Sequence, residues 1–395
     1  MSAVPSLDID PFDERFLADP YARHDELRDA GGVVWLEPLQ CFAMARHAEV
    51  SAALRDHETF CSGRGVGLAD FAHEEPWRPP SLLLETDPPT HARTRGLMNR
   101  IASIASLKAV RPEWEAKAHA LIARLVERRR FDAVGDLAEV FPLAVFPDLI
   151  GLPEEGRENL LPYAFATFNA FGPRNAIFRQ TDIASRDARA WVDWACGRDR
   201  LKAGGWGQAV YRAADEGLCT ESEAGRLVRS FLSAGVDTTV NGISHMVHAL
   251  ALHPSQWETL RSRPSLTKKA FEESLRWNST VQIFFRTTTR AVEVDGIAIP
   301  EGAKVLLFLA AANRDPRHWQ DAGAFNIDRQ VSGHVGFGFG IHQCLGQMVA
   351  RQEAELVLEA LLARCRTIRP AGPAVTRLNN TVHALAEFPV EVEAA

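Results

Sequence analysis

The chain has 395 residues, 46% of them hydrophobic, and a formal net charge of −7, enough to bury a large core. The negative balance and the lack of a basic tract with interleaved aromatics exclude a nucleic-acid coat. No apolar run nears the roughly 20 residues of a membrane span, and the amino terminus lacks a leader pattern, so a soluble cytoplasmic protein is expected.

Six cysteines, at 41, 61, 196, 219, 344 and 365, form no CxxC pair, which fits neither a disulfide framework nor a zinc site. There is no repeat, linker or charge block to mark a boundary. One domain spanning 1–395 is therefore expected.

The proline-rich pieces "WRPPS" and "DPPTH" predict loops, because a residue before proline is steered away from helical angles. Behind them, His91 and Arg95 fall four apart on one helical face. Helical spacing of apolar residues recurs over 107–130, 154–171, 182–196, 222–252, 266–277 and 347–365. The fifth of these contains "EESLR", which sets Glu273 and Arg276 three apart. The fourth would run about 30 residues, or ~45 Å, and is interrupted by "SFLSAGVDTTVNG". There Gly235 beside Ala234 would leave room against a flat ligand, and Thr238 can bond a carbonyl one turn back and open the helix. "VEVDGIAIPEGAKVLLFL" alternates on both sides of Asp295-Gly296 and predicts a hairpin followed by a further strand. The fold class expected is mainly α with a small β portion.

The segment "FGFGIHQCLG", residues 337–346, comes just before the last predicted helix. A cysteine at a helix amino terminus is favoured as a thiolate, either a nucleophile or a single metal ligand. Gly338, Gly340 and Gly346 remove Cβ atoms where the backbone would pass under something flat and wide. A haem has that shape, and a thiolate ligand favours O–O cleavage. Phe337, Gly340, Cys344 and Gly346 together resemble the FxxGxxxCxG signature of the cytochrome P450 superfamily.

That resemblance implies haem b with Cys344 as axial ligand and with His342, His91, Arg95 and Arg286 around its propionates. Phe337, Gly338, Gly346, Ala234 and Gly235 would complete the cofactor contacts. It also implies a Glu273–Arg276–Arg329 network that pins the cysteine loop, although Thr280 and Asn326 replace the proline and aspartate common in the family. "AGVDTT" resembles the acid-alcohol pair, in which Thr238 steadies bound oxygen and Asp237 joins it to a proton supply. An intact pair counts against a peroxide-using relative and against a haem carrier without turnover.

The stretch "GRGVGLADFAHEEPWRPPSLLLETDPPTH" resembles that of the bacterial branch that oxidises para-substituted benzoic acids, often by O-demethylation. Arg78 and Ser81 would then meet the substrate carboxylate, with Ser230 and Ser233 adding hydroxyls and Phe168, Phe171 and Phe284 holding the ring. The alternative is another small hydrophobic substrate, a terpenoid or a fatty acid. With no flavin or nicotinamide domain in the chain, the resemblance implies electrons from NAD(P)H through a reductase and an iron-sulfur ferredoxin. Arg93 and Arg100 are expected to contribute to a basic docking patch.

Overall fold

A computed structural model describes residues 3–395. Seven helices position the site: α1 (Thr90–Ile101), α2 (Ile104–Arg128), α3 (Leu160–Asn169), α4 (Glu221–Ala234), α5 (Asp237–Leu252), α6 (Thr267–Trp277) and α7 (Gln347–Arg364). The main core forms where α2, α5 and α7 meet, with Trp114, Leu121, Ile243, Met246, Leu356 and Val357 among its buried members.

The expected fourth helix is divided. A capping box starts α4, in which Thr220 and Glu223 satisfy each other's backbone N–H groups. It ends at Gly235, whose N–H still reaches the Phe231 carbonyl, and α5 begins two residues later. The Thr238 hydroxyl donates to the Ala234 carbonyl at 2.7 Å and that of Thr239 to the Gly235 carbonyl at 3.2 Å. Side-chain donors thus take over carbonyls at the break. Two other expected helices are shorter or split: 154–171 is helical only in α3 after a 3₁₀ turn, and 182–196 falls into Ala176–Ala184 and Arg186–Ala195.

The largest sheet has six strands in the spatial order Ser6–Leu7, Val34–Leu36, Cys41–Met44, Lys304–Phe308, Ile283–Thr288 and Phe60–Cys61. In Ile283–Thr288 the period of two separates functions. Ile283 and Phe285 enter an apolar cluster with Leu306 and Phe308, while Phe284 and Arg286 face the large cavity. The predicted hairpin pairs Val292–Val294 with Ile297–Ile299, and its turn residues Asp295 and Gly296 take φ of 50° and 75°, the left-handed pair such a turn requires. "DPPTH" runs into the start of α1, and no described helix is long and apolar enough to cross a membrane.

Candidate active site: a cavity between α4–α5 and the cysteine loop

Residues 335–346 fold back on themselves before α7. The N–H of Gly338 donates to the Val335 carbonyl, that of Gln343 to Gly340 and that of Cys344 to Phe337, at 2.9, 3.2 and 2.8 Å. Gly338 has φ +67° with open space where a Cβ would stand. Two glycines have reasons other than a flat ligand, contrary to expectation. At Gly340, with φ +71°, a Cβ would sit 2.5 Å from the Leu54 carbonyl; at Gly235 it would sit 2.5 Å from both the Phe146 ring and the Phe231 carbonyl. Both positions are dictated by protein packing, although Gly235 still borders the cavity.

The loop is held from behind by a buried charge cluster. Arg276 donates from Nε and Nη2 to the two Glu273 oxygens at 2.7 and 2.8 Å, and Arg329 donates to Glu273 at 3.1 Å. The side chains of Glu273 and Arg276 are fully buried. Arg276 also donates to the Asn313 carbonyl, while the Asn313 side-chain oxygen accepts from the N–H of Val335, where the cysteine loop begins. Asn326 takes part through its backbone, whose N–H reaches Glu273 at 2.9 Å. An aspartate there is not needed for that contact.

Between the loop and the α4–α5 break lies a cavity with about 1760 Å³ of space free of atoms, open solvent at its mouth included. Cys344, Phe337, Gly338, Gly346, His342, Arg95, Arg286, Ala234, Gly235 and Thr238 line it, as do Arg78, Ser81, Phe168, Phe171, Ser230, Ser233 and Phe284. Sequence positions almost 270 residues apart therefore face one space.

Two expected residues do not line it. His91 is buried beside the cavity with its ring 4.4 Å from that of His342, and burial lowers its pKa to about 4. Asp237 is also buried, with Oδ2 unpartnered; burial pushes its carboxyl up to about 6, against the pull of Arg377. No proton-supplying group contacts that oxygen among the described residues, so the expected link is not made directly.

The residues fit a haem on grounds of charge. Arg286 is 3% exposed, donates only to the neighbouring Phe285 carbonyl and makes no ion pair among the described residues. Burial lowers its pKa to about 10. Arg95 bonds only Asn99, and Nε2 of both His91 and His342 is buried without a partner. Around Arg95, Arg286, His91 and His342 the one carboxylate near among the described residues is Asp87, 3.7 Å from His342 Nε2, so this excess of donors and positive charge calls for an anionic guest, which two propionates would supply. Burial raises the Cys344 thiol, whereas the N–H groups of Gly346 and Gln347 and the charges of Arg95 and Arg351 act the other way. A ligand thiol gives up its proton as metal binds.

Comparison with known proteins settles the family. Residues 208–389 match the profile described as Cytochrome P450. The whole chain aligns at 51% identity with cytochrome P450 CYP199A2 of Rhodopseudomonas palustris, covering 96% of that protein. The chain belongs to the cytochrome P450 family. A beta-dihydromenaquinone-9 omega-hydroxylase of Mycobacterium bovis is 31% identical over 98% of this chain and 78% of its own length. Among solved structures, cytochrome P450 CREJ in complex with (4-ethylphenyl) dihydrogen phosphate superposes with a TM-score of 0.88, at 25% identity, over 97% of this chain and 99% of that one. The protein is a P450 monooxygenase. The family brings a haem-thiolate iron and O₂, and typically draws electrons from partner proteins.

On the far side of the cavity the P450 has groups that its sequence did not single out. Arg78 donates from Nη1 to buried Glu85 at 2.9 Å and to the Pro79 carbonyl at 3.1 Å. Arg229 lines the cavity and donates to Pro79, while Arg226 donates to Pro80. Tyr163 shares a hydrogen bond of 3.1 Å with Ser233. The one signal for Arg226 and Arg229 was their spacing on the same helix as Ser230 and Ser233. Ser81 accepts the N–H groups of Leu83 and Leu84 at 3.2 and 3.1 Å, so its own proton stays free to donate. Ser230 and Ser233, by contrast, donate theirs to the carbonyls of Arg226 and Arg229. The three phenylalanines pack edge to face on one another at 5.9 and 5.8 Å and form one wall. Arg93 is tied up in an ion pair with Glu223 and a bond to the Leu218 carbonyl, so it offers no loose charge for docking.

Proposed function

We propose that residues 1–395 act as one haem domain that hydroxylates or O-demethylates a small aromatic carboxylic acid such as a 4-substituted benzoate. The observation that carries this reading is the pairing, in one cavity, of an aromatic wall (Phe168, Phe171, Phe284) with the cations Arg78 and Arg229. A flat ring suits edge-to-face neighbours, and a carboxylate taken out of water needs charged or donating partners. Arg78 uses only Nη1 within the protein, and Ser81 has a proton to give. The likeness to CREJ, whose structure holds a para-substituted aryl phosphate, adds support.

In this reading Cys344 ligates the iron, and Arg95, Arg286, His342 and His91 meet the propionates. When bound, the haem supplies the iron at which O₂ is reduced and the substrate oxidised. Thr238 steadies the oxygen end of the site from the α4–α5 break. Asp237, whose carboxyl burial raises to about 6, is placed to take up a proton and pass it on. A ferredoxin and its NAD(P)H-dependent reductase bring the electrons, in the cytoplasm.

The second reading is a neutral hydrophobic substrate. It is favoured by Glu85, which already pairs with Arg78, and by the two serines whose protons serve the helix.

Titration of the haem-loaded protein with 4-methoxybenzoate, followed by the low-spin to high-spin Soret shift, separates the readings. The aromatic-acid reading expects a saturable shift with the acid and a weaker one with 4-methoxytoluene. A shift with terpenes or fatty acids and none with benzoates overturns it. The reduced carbon monoxide complex should carry the long-wavelength band of thiolate-ligated haem, and Cys344→Ala should abolish it.

A further inference from the structure

His342 has a second task besides the one expected of it. Its Nδ1 lies 3.0 Å from the Leu83 carbonyl, a contact between the cysteine loop and the proline-rich loop 259 residues earlier in sequence. A carbonyl can only accept, so Nδ1 carries the hydrogen. The other nitrogen, Nε2, is buried without a hydrogen bond and sits 3.7 Å from Asp87.

From Leu83 a short series of bonds leads to the groups proposed to hold the substrate carboxylate. The N–H groups of Leu83 and Leu84 donate to Ser81 Oγ, the Ser81 N–H donates to Glu85 at 2.8 Å, and Glu85 pairs with Arg78 at 2.9 Å. Other ties of the loop lie elsewhere: Trp77 donates to Asp182 at 2.7 Å, Thr94 of α1 donates to the Leu82 carbonyl at 2.6 Å, and Arg226 and Arg229 of α4 reach the Pro80 and Pro79 carbonyls. His342 is thus the one tie in this set that comes from the cysteine loop, two residues before Cys344.

We infer that His342 is a positioning residue for substrate: its Nδ1–H bond to Leu83 fixes the turn that aims Ser81 and Arg78 into the cavity, so that acid binding is coupled to the cysteine loop. The inference rests on the aromatic-acid reading for its ligand, but the bond itself does not. Two substitutions divide the two nitrogens. In His342→Asn the amide nitrogen stands near the Nδ1 position and can still donate to Leu83, while nothing occupies the Nε2 position. In His342→Gln the amide reaches the Nε2 position and the Leu83 bond is lost.

The experiment measures two things on the haem-loaded fraction of each variant: the dissociation constant for 4-methoxybenzoate by spin-state titration, and hydrogen exchange of the amides of residues 83–85. His342→Gln is expected to weaken the acid about fivefold to tenfold, the scale of one lost hydrogen bond, and to speed exchange at 83–85. His342→Asn, which keeps the donor to Leu83 but loses Nε2, is expected to keep exchange at 83–85 within about twofold of wild type and to bind the acid more tightly than His342→Gln does. Equal affinity and equal exchange in His342→Gln and wild type overturn the inference, as does an equal loss in both variants. If wild type itself shows no shift with benzoates, the substrate reading fails, and the exchange rates alone decide whether His342 holds the loop. Reading only haem-bearing molecules keeps partial haem loss from hiding either result.

Discussion

The two walls of the cavity are built differently. On the cysteine side, single side chains act through several long-range bonds: Arg276 alone binds Glu273 and the carbonyls of Asn313, Ala322 and Ala324. On the substrate side the lining side chains bond mostly to near neighbours in sequence, and the longer ties to the loop come from Arg226, Arg229 and His342. Ser81, Ser230 and Ser233 bond backbone within four residues, and Arg78 meets Glu85 seven residues on. A wall fixed by buried, mutually dependent charges tolerates little change; one built of local turns can be altered piece by piece. The contrast separates a frame made for one cofactor from a lining open to different guests.

Five substitutions test that contrast. Removing the charge of the frame should do the most damage: Glu273→Gln leaves Arg276 and Arg329 facing a neutral amide in the interior, with an expected loss of about 3–5 kcal/mol. Equilibrium unfolding and haem content check it, and a loss below about 1 kcal/mol would erase the distinction between the walls.

Thr238→Ala should come next. Losing one hydroxyl at the helix break is expected to cut product formed per NADH consumed about tenfold, with peroxide released instead, while haem content stays at the wild-type level. Assay of product and peroxide against NADH gives the ratio.

Asp237→Asn sharpens the picture through pH. The folded pKa of about 6 lies above the ordinary carboxyl value, so the native state holds this proton longer than the unfolded chain. Ionising the buried group costs stability as pH rises from about 4 to 6, and the cost is fully present above that range. The amide escapes it. The variant should be more stable than wild type at pH 7.5 by on the order of 3 kcal/mol, with the advantage gone near pH 4. Melting curves at the two pH values measure it.

The smallest effects should lie in the substrate lining. Ser81→Ala should weaken 4-methoxybenzoate about fivefold, one free donor's worth. Ser230→Ala should change it by less than about twofold, because that hydroxyl donates to Arg226. The opposite order would mean that Ser230 releases its carbonyl when the acid arrives.

Much of the cofactor frame could be read from the sequence because each chemical task fixed a residue type at a set spacing. Cys344 with its glycines, Glu273 with Arg276, and Thr238 after Asp237 are local patterns; the fold brings Cys344 and Thr238 to one cavity and pairs Glu273 with Arg276, while Asp237 stays outside the lining. The reasons for the glycines were less legible. Gly235 and Gly340 are required by Phe146 and Leu54, neighbours remote in sequence. Hydroxyl direction was hidden for the same kind of reason: Ser81 and Ser230 look alike on paper, and only the turn around Ser81 leaves its proton unused. Arg226, Arg229 and Glu85 do not stand out in the sequence, because charges on a helix or loop are common and their meaning depends on what packs opposite. The orientation of Asp237 away from the cavity likewise depends on tertiary packing rather than on its place in "AGVDTT".

The break at Gly235–Val236 also divides labour along what would otherwise be one continuous rod. Arg226, Arg229, Ser230 and Ser233 stand before it, and Asp237 and Thr238 stand after it. In the proposed reading, diversity introduced before the break explores new guests while Asp237 and Thr238 are inherited unchanged. A directed-evolution library confined to α4 and residues 77–85 would sample substrate scope at little risk to turnover.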